Sequence, residues 1–498
     1  MFTLFNKRAR FISLLLFFVC ISFSYLMVDV HQDNSAFFSP SQLGLLTLFQ
    51  YSFAAILMLI VWYQFNQQAK GSESTIAIRH VLWVAILARV ILLPLPSYTS
   101  NDMSRYLFDG QIVLNGLDPY RVTHEAPVLQ AQRALWNPPA EQAKYVTIYP
   151  PVALVLYTSS AAFGHIWGPF FWKFLLTLAS IGTLWLGYLL LKQANKLQHL
   201  PLLALSPLLI LEAGVGAHID TFSTLAVCAA LWAWQNNRAC LCGFFIGLGV
   251  LLKLTPILLL GPLFFAFKAG APKKQSRCDK GGWHQLSLVI GFRMGFSAVV
   301  TISSVYLVTI LSGFQAIGSL QVFFQKWRFG SPLFSALEAF LNDQQLLVTA
   351  LALIALGLFV IAIISWVQFL RNRSLYKHDS FVPLFQWVLA LPLFISPVVF
   401  PWYLMPFVPL LALSPNIWLL AWTCLLPFTY EVLGPFASQY VWLPAVWPLI
   451  AVACGVVLGI FLPLIQKTIF KHNHSSSHTT DVRTSINTLP PNHLESTT

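Results

Sequence analysis

Apolar runs of about 20 residues recur along this chain from one end to the other, each long enough to cross a bilayer as a helix. Inside lipid every backbone N–H and C=O has to be paired within its own segment, so a series of such runs folds as a bundle of helices. A transmembrane barrel is excluded, because its segments are short and alternate in polarity. With 9% charged residues against 57% hydrophobic ones, a soluble enzyme is excluded too. The runs lie at residues 9–28, 43–65, 80–97, 170–191, 200–214, 221–236, 240–252, 255–268, 286–311, 346–370, 381–397, 402–414, 416–434 and 444–465. The expected fold is therefore an all-α polytopic membrane protein with about 13–14 transmembrane helices.

Lys7, Arg8 and Arg10 precede the first run and no small-residue cleavage site follows it, which predicts a retained signal anchor with its N-terminus in the cytoplasm. On that orientation most of the 29 Lys and Arg residues fall in cytoplasmic segments, with Lys268, Lys273, Lys274, Arg277 and Lys280 in one loop. This asymmetry accounts for the net charge of +12 with no nucleic acid as partner. Residues 149–166 open with Pro150-Pro151. Counting them as a crossing would put the basic loops outside, so they read as a re-entrant or interfacial element. The chain divides into a cytoplasmic end plus hairpin (1–79), a transmembrane catalytic domain (80–470) and a disordered cytoplasmic tail (471–498). Both termini are expected in the cytoplasm.

The longest outside loop, residues 98–148, holds five of the 17 carboxylates: Asp102, Asp109, Asp118, Glu125 and Glu141. The stretch from Ser100 reads as an amphipathic helix, capped by Ser100 or Asn101 and ended by Gly116. Helical spacing puts Asp102, Arg105, Tyr106 and Asp109 on one face, while Leu107, Ile112, Val113 and Leu114 are free to dip into the membrane surface. An ion-pair network would use the same charges. Tyr106, Tyr120, Trp136, Tyr145 and Tyr149 add aromatics suited to stacking on sugars. Further along, His218 and Asp220 sit at the mouth of two runs, where they could position a substrate or bond across helices. Glu212 lies one to two turns deeper.

Residues 240–268 read as two half-length helices meeting at Lys253-Leu254-Thr255-Pro256, a pattern that opens a cavity into the bilayer. The Lys253 ammonium there could hold a phosphate headgroup or snorkel to the interface. Lys326-Trp327-Arg328 and Pro401-Trp402-Tyr403 complete the outward-facing set. No Gly-rich nucleotide fingerprint is present, which argues against ATP or a nucleotide-sugar as direct substrate.

In order, NDMSRYLFDGQIVLNGLDPYRV, TIYPPVALVLY, GAHIDTFSTLAVCAALW, GLGVLLKLTPILLLGP and FPWYLMPFVPLLAL make the chain resemble the bacterial branch of the GT-C superfamily of integral membrane glycosyltransferases. Within it, the chain resembles in particular the polyprenol-phosphate-mannose-dependent mannosyltransferases. The resemblance implies a GT-C-like fold in the plasma (inner) membrane, a sugar donor on a polyprenyl phosphate at the outer leaflet, and a glycan, glycolipid or protein acceptor. It implies Asp102 as the catalytic base of an inverting transfer, with Asp109 as alternative base or orienting acid. Lys253, Arg105 and Arg328 would stabilise the leaving phosphate, and Tyr106, His218, Asp220, Tyr149 and Trp402 would position substrate. The family often has Asp-x-Asp or Asp-Asp where this chain has Ser100-Asn101-Asp102, so no cofactor is expected and a divalent metal is doubtful. The hairpin at 9–65 is a further departure. Two rivals remain on the residues alone: a secondary transporter, and an O-antigen polymerase or ligase acting on lipid-linked sugars.

Overall fold

A computed structural model of the 498-residue chain describes residues 2–67, 72–267, 280–371, 380–439, 442 and 444–459. The tail expected from residue 471, and Lys268, Lys273, Lys274 and Arg277 of the basic loop, lie outside the described residues. The chain opens with α1 (Phe2–Ser22), α2 (Ser24–His31) and α3 (Leu43–Asn66), and passes through α4 (Ser72–Val90) to α5 (Asp102–Leu114). The acidic loop continues through α6 (Gln130–Trp136), and α7 (Pro151–Ala161) and α8 (Gly164–Gln193) follow. A bent pair, α9 (Leu200–Ala204) and α10 (Pro207–Leu211), runs into a π-helical turn at Glu212–Gly216 and then α11 (Asp220–Gln235).

Next, α12 (Ala239–Leu252) and α13 (Leu260–Ala266) are joined through a 3-10 turn at Thr255–Leu259. They lead to α14 (Lys280–Leu311), α15 (Leu320–Lys326), α16 (Pro332–Glu338) and α17 (Asp343–Arg371). The last part holds α18 (Val382–Phe394), α19 (Phe407–Leu413), α20 (Ile417–Leu425) and α21 (Leu433–Gln439), the last two linked by a 3-10 turn at Leu426–Val432. Among the described residues there is no strand; Phe329 and Val398 form an isolated parallel bridge.

The fold is all-α and polytopic, as expected, but fewer of its helices are long enough to cross than the apolar runs predict. Among the described residues six helices pass on length and composition, or seven if the pair bent by 46° at Leu197–Ala204 and Pro207–Gly216 counts as one span. The other apolar helices have 10–17 residues, including Ala239–Leu252, Thr255–Ala266, Val382–Phe394 and Pro401–Leu413. The cause is visible at the breaks: proline removes a backbone donor and clashes with the preceding turn, splitting an apolar run into half-helices. Pro207 and Pro256 sit at such breaks.

Breaking helices inside an apolar bundle leaves carbonyls without partners, and two buried cations supply them. Beyond the end of α4, Lys173 of α8 donates to the carbonyls of Leu92 (2.7 Å) and Leu95. Arg89 of α4 donates to Ser180 Oγ (2.8 Å) and reaches the Ala204 carbonyl (3.1 Å) at the bend between α9 and α10. These contacts fix the segment that delivers the chain to Asp102.

Helix α5 lies where expected, and Gly116 just past its end takes a left-handed φ of +72°. Of the residues expected to dip toward a membrane surface, Leu114 is 45% exposed and Val113 partly so, whereas the other two turn into the protein. Leu107, Phe108 and Ile112 are buried, and the helix packs against α7. A Cβ on Gly110 would come within 2.5 Å of the Tyr157 carbonyl, so only glycine lets the two backbones approach this closely. The 11-residue α7, too short to cross, is thereby a wall behind α5.

Candidate active site

A cavity of about 940 Å3 opens where α5, the Lys253 break and the 396–403 segment meet. Asp102, Arg105, Tyr149, Lys253 and Trp402 all line it. They come from parts of the chain that are far apart in sequence, and local geometry explains why each arrives there.

Asp102 is the first residue of α5. Its backbone N–H donates to Ser100 Oγ at 3.0 Å, whereas the N-cap residue Asn101 makes no side-chain cap hydrogen bond. The carboxylate, 15% exposed, receives the Tyr106 hydroxyl on Oδ2 at 3.2 Å. His218 Nδ1 stands 3.5 Å from the same oxygen. Burial alone would raise the Asp102 pKa; His218, Arg105 and Lys253 outweigh it and hold this carboxyl below the ordinary aspartate range. The carboxylate form therefore persists at neutral pH. Burial, reinforced by the Asp102 charge, pushes the Tyr106 hydroxyl well above its usual pKa, so it stays a donor. The Tyr106 ring is stacked on Tyr157 at 4.6 Å.

His218 reaches Asp102 because the chain before it turns abruptly. The π-turn Glu212–Gly216 ends at Ala217, a buried non-glycine residue with φ of +57° whose carbonyl accepts the Trp172 indole N–H at 2.9 Å. A β-carbon in the left-handed region costs free energy, and such strain concentrates at functional sites. Gly216 is required for a second reason: a Cβ there would lie 2.5 Å from Glu212 Oε2 and 2.7 Å from the His218 ring. The His218 ring stacks on Trp402 (3.7 Å), which stacks on Phe400 (4.3 Å).

Lys253 stands in the extended break after α12, with φ of −156° and ψ of 138°. Its ammonium pairs with the Asp220 carboxylate (2.7 Å) and sits over the Tyr403 ring at 4.0 Å. Asp220 is thus the counter-ion of Lys253 and does not itself line the cavity. Arg105 lies 5.8 Å from the Tyr149 ring on the cavity wall. The same cavity is also lined by Phe323, Phe324, Trp327, Phe436 and Trp442.

Two expected residues are not brought in. Asp109 is fully buried against His124 Nε2 at 2.8 Å and does not line the cavity. Arg328 is paired with Glu338 at 3.1 Å and turns its guanidinium to the carbonyls of Phe324, Gln325 and Trp327. It is not a lining residue either, because its partner lies on the neighbouring α16. The remaining loop acids divide the same way. Asp118 accepts the backbone N–H of Gln315 (2.9 Å) and ties two loops together. Glu141 borders the cavity beside Asn101, and Glu125 is exposed. Of the loop aromatics, Tyr149 lines the cavity, whereas Tyr120, Trp136 and Tyr145 do not.

Glu212, which the sequence places one to two turns deeper than His218, lies behind the site. It is fully buried and its Oε1 accepts two phenolic hydroxyls, Tyr51 at 2.7 Å and Tyr430 at 2.6 Å. Its other oxygen faces His218 Nε2 at 3.5 Å. Nothing in the local sequence signals these partners, which lie 161 and 218 residues away. Among the described residues no group of three or more His, Cys, Asp or Glu side chains could hold a metal ion.

Comparison with known proteins adds one finding. The family model for the alpha-(1->6)-mannopyranosyltransferase N-terminal domain matches residues 12–269. That segment includes the hairpin at 9–65 almost entirely, together with Asp102, Glu212, His218 and Lys253. No curated protein and no solved structure matches the chain.

Proposed function

This chain belongs to the alpha-(1->6)-mannopyranosyltransferase family, a group of membrane glycosyltransferases, and on that premise we propose that it moves mannose from a polyprenyl-phosphate-linked donor to an acceptor hydroxyl, with inversion and with Asp102 as general base. Membership makes the chain an enzyme that uses a sugar donor and a glycan acceptor, and disposes of the transporter reading. The observation that carries the finer proposal is the composition of one cavity: the carboxylates Asp102 and Glu141, two cations, aromatic rings and apolar side chains line the same space.

In the proposed reaction, Asp102 Oδ1 accepts the proton of the acceptor hydroxyl as that oxygen attacks the anomeric carbon. The new C–O bond forms while the bond to the phosphate oxygen breaks, and the electron pair leaves with the phosphate. Lys253 and Arg105 stabilise the charge that develops there. A phosphate is a good leaving group and needs no protonation by a second acid. Tyr149 and Trp402 pack the sugar, and Phe323, Phe324, Trp327, Phe436 and Trp442 offer the surface for a prenyl chain. Inversion to an alpha product requires a beta-linked donor, and an alpha-(1->6) linkage requires a primary hydroxyl on the acceptor. We place the reaction on the outer face of the plasma membrane, within cell-envelope assembly, as the charge asymmetry of the loops supports.

Membranes overexpressing the protein test the donor class when supplied with beta-linked polyprenyl-phosphate [14C]mannose or with nucleoside-diphosphate [14C]mannose under conditions that block lipid charging. Label entering a glycan from the lipid donor alone is the expected result. Label entering from the nucleotide sugar alone overturns the reading.

A further inference from the structure

Behind the base lies a second ionisable pair that the transfer step itself does not call for. His218 and Glu212 are fully buried, and neither borders the cavity. The two ring nitrogens of His218 face two carboxylates, Asp102 Oδ2 on one side and Glu212 Oε2 on the other, each at 3.5 Å. Closing either gap to hydrogen-bond length takes a movement of roughly half an ångström. A neutral imidazole has one donor, whereas the imidazolium has two. Two carboxylates facing the two nitrogens therefore match the imidazolium.

Glu212 is supplied with partners for a carboxylate in this place. A buried carboxylate is costly unless hydrogen-bonded and paired. Both phenols donate to Oε1, leaving Oε2 to the ring. Tyr51 comes from α3 of the N-terminal hairpin and Tyr430 from the turn after α20, so the site depends on both ends of the chain. The glycine at 216 and the left-handed Ala217 exist in this sequence where the two side chains have to cross.

We propose that Glu212 holds His218 in the doubly protonated form, and that this imidazolium keeps Asp102 ionised and fixes which of its oxygens faces the acceptor. With Tyr106 and His218 both on Oδ2, Oδ1 is left for the incoming hydroxyl. No proton passes to His218 during transfer; Glu212 and His218 are positioning residues. The proposal rests on the reading of Asp102 as base. The other titratable and charged groups around the cluster are Arg105 and Tyr106 of α5, the Lys253–Asp220 pair, Tyr149, Tyr157 and Tyr403 near Asp102, Tyr51 and Tyr430 on Glu212, and Tyr98, whose hydroxyl donates to Gln50 at 2.9 Å.

The test is the pH profile of kcat for lipid-linked mannose transfer by the full-length protein, compared with His218→Gln and Glu212→Gln. In the native chain the acid limb lies below the ordinary aspartate range of about 4. Removing the imidazolium leaves burial less opposed, so in both variants the limb moves up by about one unit or more. The donor KM stays within about twofold, because neither residue borders the cavity. Tyr430→Phe, which keeps the ring and removes one donor from Glu212, folds with least disturbance and shifts the limb in the same direction by less. Lower kcat with an unmoved acid limb in all three variants overturns the clamp and leaves Asp102 as base. An active Asp102→Asn variant instead overturns the base assignment itself, so the two failures are distinguishable.

Discussion

Two carboxylate–histidine pairs hang from one helix, and they differ in almost every physical respect. Asp109 and His124 are 15 residues apart, 2.8 Å from one another and both essentially inaccessible. Around them Phe108 sets its ring edge-on to His124, and Arg133 ties the carbonyls of His124 (2.6 Å) and Ala126 (2.9 Å). This pair closes the acidic loop on itself. Asp102 and His218 are 116 residues apart in the chain, stand 3.5 Å apart in space, and leave the carboxylate open to a cavity. A short, local, sealed pair is a lock; a looser pair, assembled from distant elements at a cavity edge, keeps an oxygen free for substrate. Chemical identity alone does not separate them. Access and chain distance do.

The comparison is broken most severely by Asp102→Asn. Turnover is expected to fall about 10²–10⁴-fold, the range for loss of a general base, while the thermal midpoint in detergent stays near that of the native chain. Next in size is the double change Lys253→Met with Asp220→Asn. It removes the ammonium without stranding its buried counter-ion, and donor KM is expected to rise roughly tenfold to a hundredfold, measured with the lipid-linked donor. On the lock side, Asp109→Ala leaves His124 buried beside an empty site. It is expected to cost about 3 kcal/mol of stability, read as a lower thermal midpoint, while the folded fraction keeps its turnover within about tenfold. The smallest effect belongs to Arg328→Gln. Its partners are Glu338 and nearby carbonyls, so both kcat and donor KM are expected to change by about twofold or less.

What the sequence made legible follows the range of the forces involved. The start and end of α5 are set by Ser100 and Gly116, within two residues of the helix, and both were readable. So was the break at Lys253, because Pro256 cannot continue the helix before it. The burial of α5 was not anticipated, although Gly110, a helix-weakening residue in mid-helix, was the available sign that another backbone approaches there. Arg328 was read as a cavity cation for its charge; Glu338, ten residues on, was near enough to have argued otherwise. Glu212 was placed one to two turns deeper than His218, yet Tyr51 and Tyr430 could not be paired with it from local pattern, since tertiary packing alone brings them together. Fewer described helices are long enough to cross than there are apolar runs, for a related reason. Hydropathy registers an apolar run whether or not a proline or a π-turn divides it.

The most direct test of the whole account compares Asp102→Asn and Asp109→Asn in one lipid-linked mannose transfer assay, with equal amounts of folded protein. The account predicts that Asp102→Asn loses at least about a hundredfold in turnover while Asp109→Asn retains most of it. A folded but inactive Asp109→Asn beside an active Asp102→Asn would contradict it, and would move the base to the sealed pair.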